Sequence, residues 1–189
     1  MAKSLIKKIW HFLWESDSPA SWLICLALAF IIVKFIFFPL LSMVFASALP
    51  MVVVESTSMV HEGNFESFWT NFGEFYFDMD ISKDEFSEFP LKNGFNKGDI
   101  MVIQGRDDYK VGEVIVFRVP YQSTPIIHRI IKIENGRYST KGDHNPYQLS
   151  CENDTKKDQI IGRAIGRIPL LGYVKLAAVE FLRIFGIRI

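Results

Sequence analysis

Residues 21–43 read SWLICLALAFIIVKFIFFPLLSM, an apolar run carrying one charge, Lys34. Such a run can cross the ~30 Å hydrocarbon core of a bilayer as a helix. A lysine near mid-bilayer costs about 2.5–3.5 kcal/mol on insertion scales. The neighbouring leucines, isoleucines and phenylalanines each return roughly 0.3–0.6 kcal/mol, so together they offset it. The run is longer than the ~7–15 apolar residues of a secretory leader. Ala46-Ser47-Ala48, the nearest approach to a cleavage site, leads into further apolar residues rather than a polar start. A permanent anchor is therefore expected, not a cleaved leader or the core helix of a soluble domain. Lys3, Lys7 and Lys8 precede the run. Basic residues set orientation more strongly than acids such as Glu15 and Asp17, which predicts a cytoplasmic N-terminus with the rest beyond the membrane.

Composition excludes other classes. The 21 Lys and Arg balance the 21 Asp and Glu, whereas a nucleic-acid binder would be basic or carry a basic stripe. With 49% hydrophobic residues, the chain is not disordered. Two cysteines, Cys25 and Cys151, are too few for a disulfide framework, and both are expected unpaired.

Beyond the anchor, short β-branched runs bounded by Gly, Pro, Asn and Asp predict strands at 51–55, 99–104, 113–119, 126–133, 137–141 and 160–168. Asn135-Gly136 predicts a hairpin between the fourth and fifth. The stretch 60–90 interrupts this pattern. It holds eight acids against one base, and Phe65, Phe68, Trp69, Phe72, Phe75 and Tyr76 fall on one helical face. That stripe could pack on the β domain, or form a flap toward membrane or substrate. The segment 170–189 is apolar but carries Lys175, Glu180, Arg183 and Arg188. An interfacial helix there is cheaper than a second span, which would bury those charges.

No HExxH, CxxC, GxxxxGK[ST] or GxGxxG pattern occurs, so neither a metal nor any other cofactor is expected. Nucleophile candidates are Ser56 and Ser58, which follow the first strand directly. His128 lies within the fourth strand; it could be a satisfied core residue or a base. Lys132 shares its face, but about 13 Å along the strand, so the two cannot serve one serine. Asp143, after the fifth strand, could orient an imidazole on the partner strand or simply close a turn.

Taken in order, these residues resemble the type I signal peptidases, specifically the archaeal and endoplasmic-reticulum branch. The resemblance rests on the anchor, PMVVVESTSM from Pro50 to Met59, Gly98-Asp99-Ile100, VGEVIVF from Val111 to Phe117, Ile127-His128-Arg129, Thr140-Lys141-Gly142-Asp143, Ile161-Gly162-Arg163 and Ile168-Pro-Leu-Leu-Gly172. It implies a mostly-β fold: a compact signal-peptidase-like β domain with an N-terminal transmembrane helix and a helical insertion. It implies a serine endopeptidase that removes signal peptides from exported preproteins at the bilayer, with membrane translocation machinery as a further partner. Ser58 would be the nucleophile and His128, where the bacterial branch has lysine, the base. Asp143 would complete the triad, with Asp154 the alternative acid. Ser56 and Met59 would belong to the oxyanion and substrate-binding site.

The corresponding division is 1–20 cytoplasmic or interfacial, 21–43 transmembrane, 44–169 an extracytoplasmic catalytic β domain with its insertion at 60–97, and 170–189 an interfacial or second membrane helix. An archaeal-type cell membrane is favoured over the endoplasmic reticulum. Three positions depart from the family pattern. His61 stands where the family has proline, residues 60–97 are inserted, and the family's second aspartate falls on Leu149, with Glu152 and Asp154 nearby. A non-catalytic, membrane-tethered relative that binds signal peptides or joins an active partner is the alternative.

Overall fold

The structure, a computed structural model, describes residues 2–186, and side chains from Ile6 onward apart from Ile9. The side chain of Lys3 and all of Arg188, both weighed in the sequence, lie outside the described residues. The chain forms two compact parts, one ending at Val44 and the other beginning at Phe45.

In the first part, α1 spans Ala2–Trp14 and α2 spans Pro19–Ile32. Proline in its first turn and the Ser18 hydroxyl, which accepts the Ser21 N–H, start α2 cleanly. It continues through a π-helical stretch, Val33–Phe37, into α3, Phe38–Val44. Together Pro19–Val44 make 26 residues of mean hydropathy 2.7, long and apolar enough to cross a membrane. Their apolar side chains are exposed rather than buried against protein, which argues against a soluble core helix. The Lys34 ammonium lies 5.5 Å from the ring centres of Phe30 and Phe35, close enough for cation–π attraction to soften its cost.

The second part is mostly β. Its strands are β1 (Met51–Val53), β2 (Ile100–Gln104), β3 (Val114–Phe117), β4 (Ile126–Glu134), β5 (Arg137–Lys141), β6 (Thr155–Lys156) and β7 (Ile160–Ile168). They form one antiparallel sheet in the order β1-β2-β7-β3-β4-β5-β6. Each of the six expected runs holds a strand. The two-residue β6 is too short to have a period. Asn135 and Gly136 close the β4–β5 hairpin with φ of 51° and 72°, the doubly positive backbone that Asn-Gly accommodates.

Within 60–97 lie α4 (Phe65–Phe77), capped by Asn64, and α5 (Lys83–Ser87), capped by Ser82. The aromatic stripe packs onto the sheet: Phe68, Tyr76, Ile81 and Phe86 bury with Ile131 of β4, flanked by Phe65, Trp69, Phe72 and Phe75. Each such side chain contributes roughly 1.5–3 kcal/mol on burial. This covering explains why alternation fails on β4, where Ile127 to Ile131 are all buried.

The final helix, α6, covers Tyr173–Ile184. At ~1.5 Å per residue its 12 residues fall well short of a ~30 Å span. Its start is fixed to the sheet: Gly172 N–H donates to Gly98 O at 2.8 Å, and Lys175 pairs with Glu55 at 3.0 Å.

Candidate active site

The segment after β1 is pinned before it reaches its serines. Val54 exchanges backbone hydrogen bonds with Asp99 and Gly98, each at 2.9 Å. Asp99, itself buried, accepts N–H groups from Asn96 at 2.9 Å and Leu170 at 3.1 Å. On the far side of the serines, Met59 is buried and its carbonyl accepts the Phe95 N–H at 3.0 Å. The Ser58 carbonyl accepts the His144 N–H at 2.8 Å. Ser58 is thus a half-buried residue on a short loop held at both ends, and Ser56 is exposed beside it. A reacting side chain needs such rigid support.

β4 brings His128 to this loop. The ring is 4% exposed, and its Nε2 lies 2.8 Å from Ser58 Oγ across seventy residues of chain. Ser56 Oγ lies 3.0 Å from Ser58 Oγ. Gly142, at the end of β5, allows the approach: an added Cβ would sit 2.7 Å from His128 Nε2 and 2.9 Å from Ser58 O. Lys132 is exposed and pairs with Glu134 at 2.9 Å, away from the serines.

The carboxylate on the ring is not the expected one. His128 Nδ1 contacts Oε1 of Glu152, a fully buried residue. Glu152 ends a short 3₁₀ turn, Ser150–Glu152, and is held by the Thr140 hydroxyl at 3.2 Å and the Leu149 N–H at 2.7 Å. A carboxylate only accepts, so Nδ1 carries the proton and Nε2 presents its lone pair to Ser58.

Asp143 lies elsewhere, which corrects the expectation that it orients His128. Its carboxylate accepts Arg129 Nη2 at 2.7 Å and Nε at 3.0 and 3.2 Å, the Tyr76 hydroxyl at 2.7 Å and His61 Nε2 at 2.9 Å. Past Gly142 the chain turns its side chain into the space beneath the insertion, where Arg129 draws it. Burial alone would raise the Asp143 pKa, but Arg129 and His61 overcome it and hold the carboxyl far below the usual range. Tyr76 is pushed up by burial and by Asp143. Asp154, the other candidate, is largely exposed and lies 3.5 Å from Arg137.

In the sequence Glu152 is marked only as an acid near the position where the resemblance implies a second aspartate. Two acids stand there, Glu152 and Asp154, and spacing cannot choose between them. The 3₁₀ turn decides, pointing one inward and one out.

The chain is similar to named proteins over about half of its length. The chain is 32% identical over 102 residues to the signal peptidase complex catalytic subunit SEC11 of Leptosphaeria maculans, covering 48% of this chain and 59% of that relative. It is 28% identical over 111 residues to SEC11 of Ogataea parapolymorpha, covering 48% and 63%. It is 32% identical over 98 residues to human SEC11C, covering 46% and 51%. The chain is homologous to signal peptidase catalytic subunits. It spans between about half and two thirds of those relatives' lengths. No family model matches it.

Proposed function

We propose that this chain is a membrane-anchored serine endopeptidase that removes signal peptides from exported preproteins. The observation that carries the reading is the line from Ser58 Oγ to His128 Nε2 at 2.8 Å and from Nδ1 to Glu152. A hydroxyl in reach of a base, itself held by a third group, is the arrangement nucleophilic acyl transfer requires.

Ser58 Oγ attacks the scissile carbonyl while His128 takes its proton, and the imidazolium returns that proton to the leaving amine. Glu152 fixes the tautomer and stabilises the imidazolium. The Ser58 N–H and the Ser56 hydroxyl are the donors for the oxyanion, each worth about 2.7–4 kcal/mol by analogy with other acyl-transfer sites. Water then resolves the acyl-enzyme by the same proton relay. An extended substrate adds to the open edge of β1, an edge strand of the sheet. Asp143, Asp154 and Lys132 take no part in the proton transfer.

Pro19–Val44 anchors the chain, with its N-terminus in the cytoplasm and the sheet domain across the membrane. Ser58 follows Val44 by only 14 residues, so the anchor confines catalysis to the bilayer surface, where signal peptides lie, and raises their effective concentration. The exposed Val174, Phe181 and Ile184 of α6, with Lys175 and Arg183, suit an interfacial position.

The test is cleavage of a model preprotein by the full chain purified in detergent. Parent protein is expected to release the signal peptide, and Ser58→Ala or His128→Ala to lose about 10⁴-fold or more in kcat. If Ser58→Ala cleaves at the parent rate, the serine assignment is wrong. If the parent is inert, the chain is instead a binding or complex-forming relative.

A further inference from the structure

We infer that the 60–97 insertion is a brace for the reacting serine, and that His61 is the positioning residue through which it acts. This rests on the reading of Ser58 as nucleophile. His61 lies three residues after Ser58, and its side chain is 2% exposed. Its ring stacks on Phe68 of α4, with centres 3.5 Å apart and planes within 6°. Its Nε2 bonds Asp143 at 2.9 Å, while its buried Nδ1 meets no partner among the described residues.

A ring present only to fill space would do better as phenylalanine. It would stack equally well and leave no buried nitrogen unsatisfied, a state that costs stability. What phenylalanine cannot supply is the bond to Asp143. That bond completes a zipper between the serine loop and the loop after β5. Ser58 O accepts from His144 N–H, Met59 Sδ accepts from Asp143 N–H at 3.3 Å, and His61 then grips the Asp143 carboxylate. Between them, Gly142 abuts both His128 Nε2 and Ser58 O. A shift of Asp143 therefore moves Gly142 against the reacting pair. The insertion holds the other end of the same carboxylate through the Tyr76 hydroxyl. It also holds Arg129 through the Pro90 and Leu91 carbonyls, at 2.8 and 3.0 Å. On this account the insertion touches neither lipid nor substrate to act; it fixes the distance between Ser58 and His128.

The experiment compares His61→Phe and His61→Gln in the full chain in detergent, measuring kcat, KM and thermal midpoint. His61→Phe keeps the stack and loses the bond. It is expected to fold with a midpoint near the parent's and to lose about tenfold or more in kcat with KM little changed, since small misplacements of reacting groups cost rate rather than binding. His61→Gln restores an N–H donor toward Asp143 and is expected to recover most of that loss. Should His61→Phe fold and keep its kcat within about twofold, or should His61→Gln be no better than His61→Phe, the brace is wrong. If His61→Phe fails to fold, the Gln variant decides alone: kcat lowered in step with its thermal midpoint overturns the inference, and kcat retained supports it. Ser58→Ala run in parallel separates the two levels, because parent-like cleavage there overturns the nucleophile reading itself.

Discussion

Two buried histidine–carboxylate pairs flank the same serine loop, and they differ in what the second ring nitrogen meets. In His128–Glu152 the free nitrogen faces a hydroxyl at 2.8 Å. In His61–Asp143 it faces no partner among the described residues. The carboxylates differ too. Glu152 is held by neutral donors, Thr140 and Leu149, and so keeps its interaction for the ring. Asp143 is taken up by the guanidinium of Arg129. The contrast teaches that an imidazole beside a carboxylate is not chemistry in itself. A pair becomes a proton relay when its outer nitrogen opens on a reacting atom, and a clamp when it is closed off.

The sharpest way to break that contrast is to neutralise each carboxylate in turn. Glu152→Gln keeps the shape but offers a donor where Nδ1–H needs an acceptor. It is expected to favour the wrong tautomer and lower kcat by about 10³–10⁴-fold with modest change in stability. Rates near the parent's for Glu152→Gln would return the third role to another acid and dissolve the distinction between the pairs.

Asp143→Asn should show the opposite profile, with stability leading. It leaves fully buried Arg129 without its counter-charge, a change that costs about 3–5 kcal/mol. The sign with pH follows from the shift. The folded pKa lies far below the unfolded value of ~3.9, so the stabilisation is complete above that value and fades as pH falls further. Denaturation of parent and Asp143→Asn should thus differ most near neutrality and converge toward acid. Equal stability at pH 7 would mean the Arg129 cluster contributes nothing.

How much of this the residues disclosed depends on range. The strands and the Asn135-Gly136 turn follow from local periodicity and backbone preference, and the sheet realises them. The aromatic stripe from Phe65 to Tyr76 marked a helix face, but its destination against Ile131 needed the tertiary fold. The assignment of acids to rings was hidden for the same reason. Asp143 sits next to the hairpin that carries His128, so proximity in sequence favoured it, yet Arg129, the very next residue after the histidine, draws it away. Glu152 reaches the ring through a 3₁₀ turn that leaves no periodic trace.

Lys141 provides a finer comparison, because it responds to both carboxylates. It lies on β5 opposite Arg129 in register, fully buried, with its ammonium 3.1 Å from Gly142 O and 4.8 Å from the Phe75 ring centre. Burial lowers its pKa to about 8, while Asp143 and, to a smaller degree, Glu152 pull it back up. Below pH 8 both folded and unfolded chains hold the proton, and the burial cost is borne in full. Between about 8 and the ordinary ~10.4 only the unfolded chain holds it, so this group makes stability rise with pH, by at most about 1.4 kcal/mol per unit. Lys141→Met should lose that rising limb, which chemical denaturation from pH 7 to 10.5 would register. Removing a carboxylate should move the onset of the limb to lower pH, further in Asp143→Asn than in Glu152→Gln. An onset displaced equally by both, or more by Glu152→Gln, would mean that the charge at Asp143 is too well neutralised by Arg129 to be felt at Lys141.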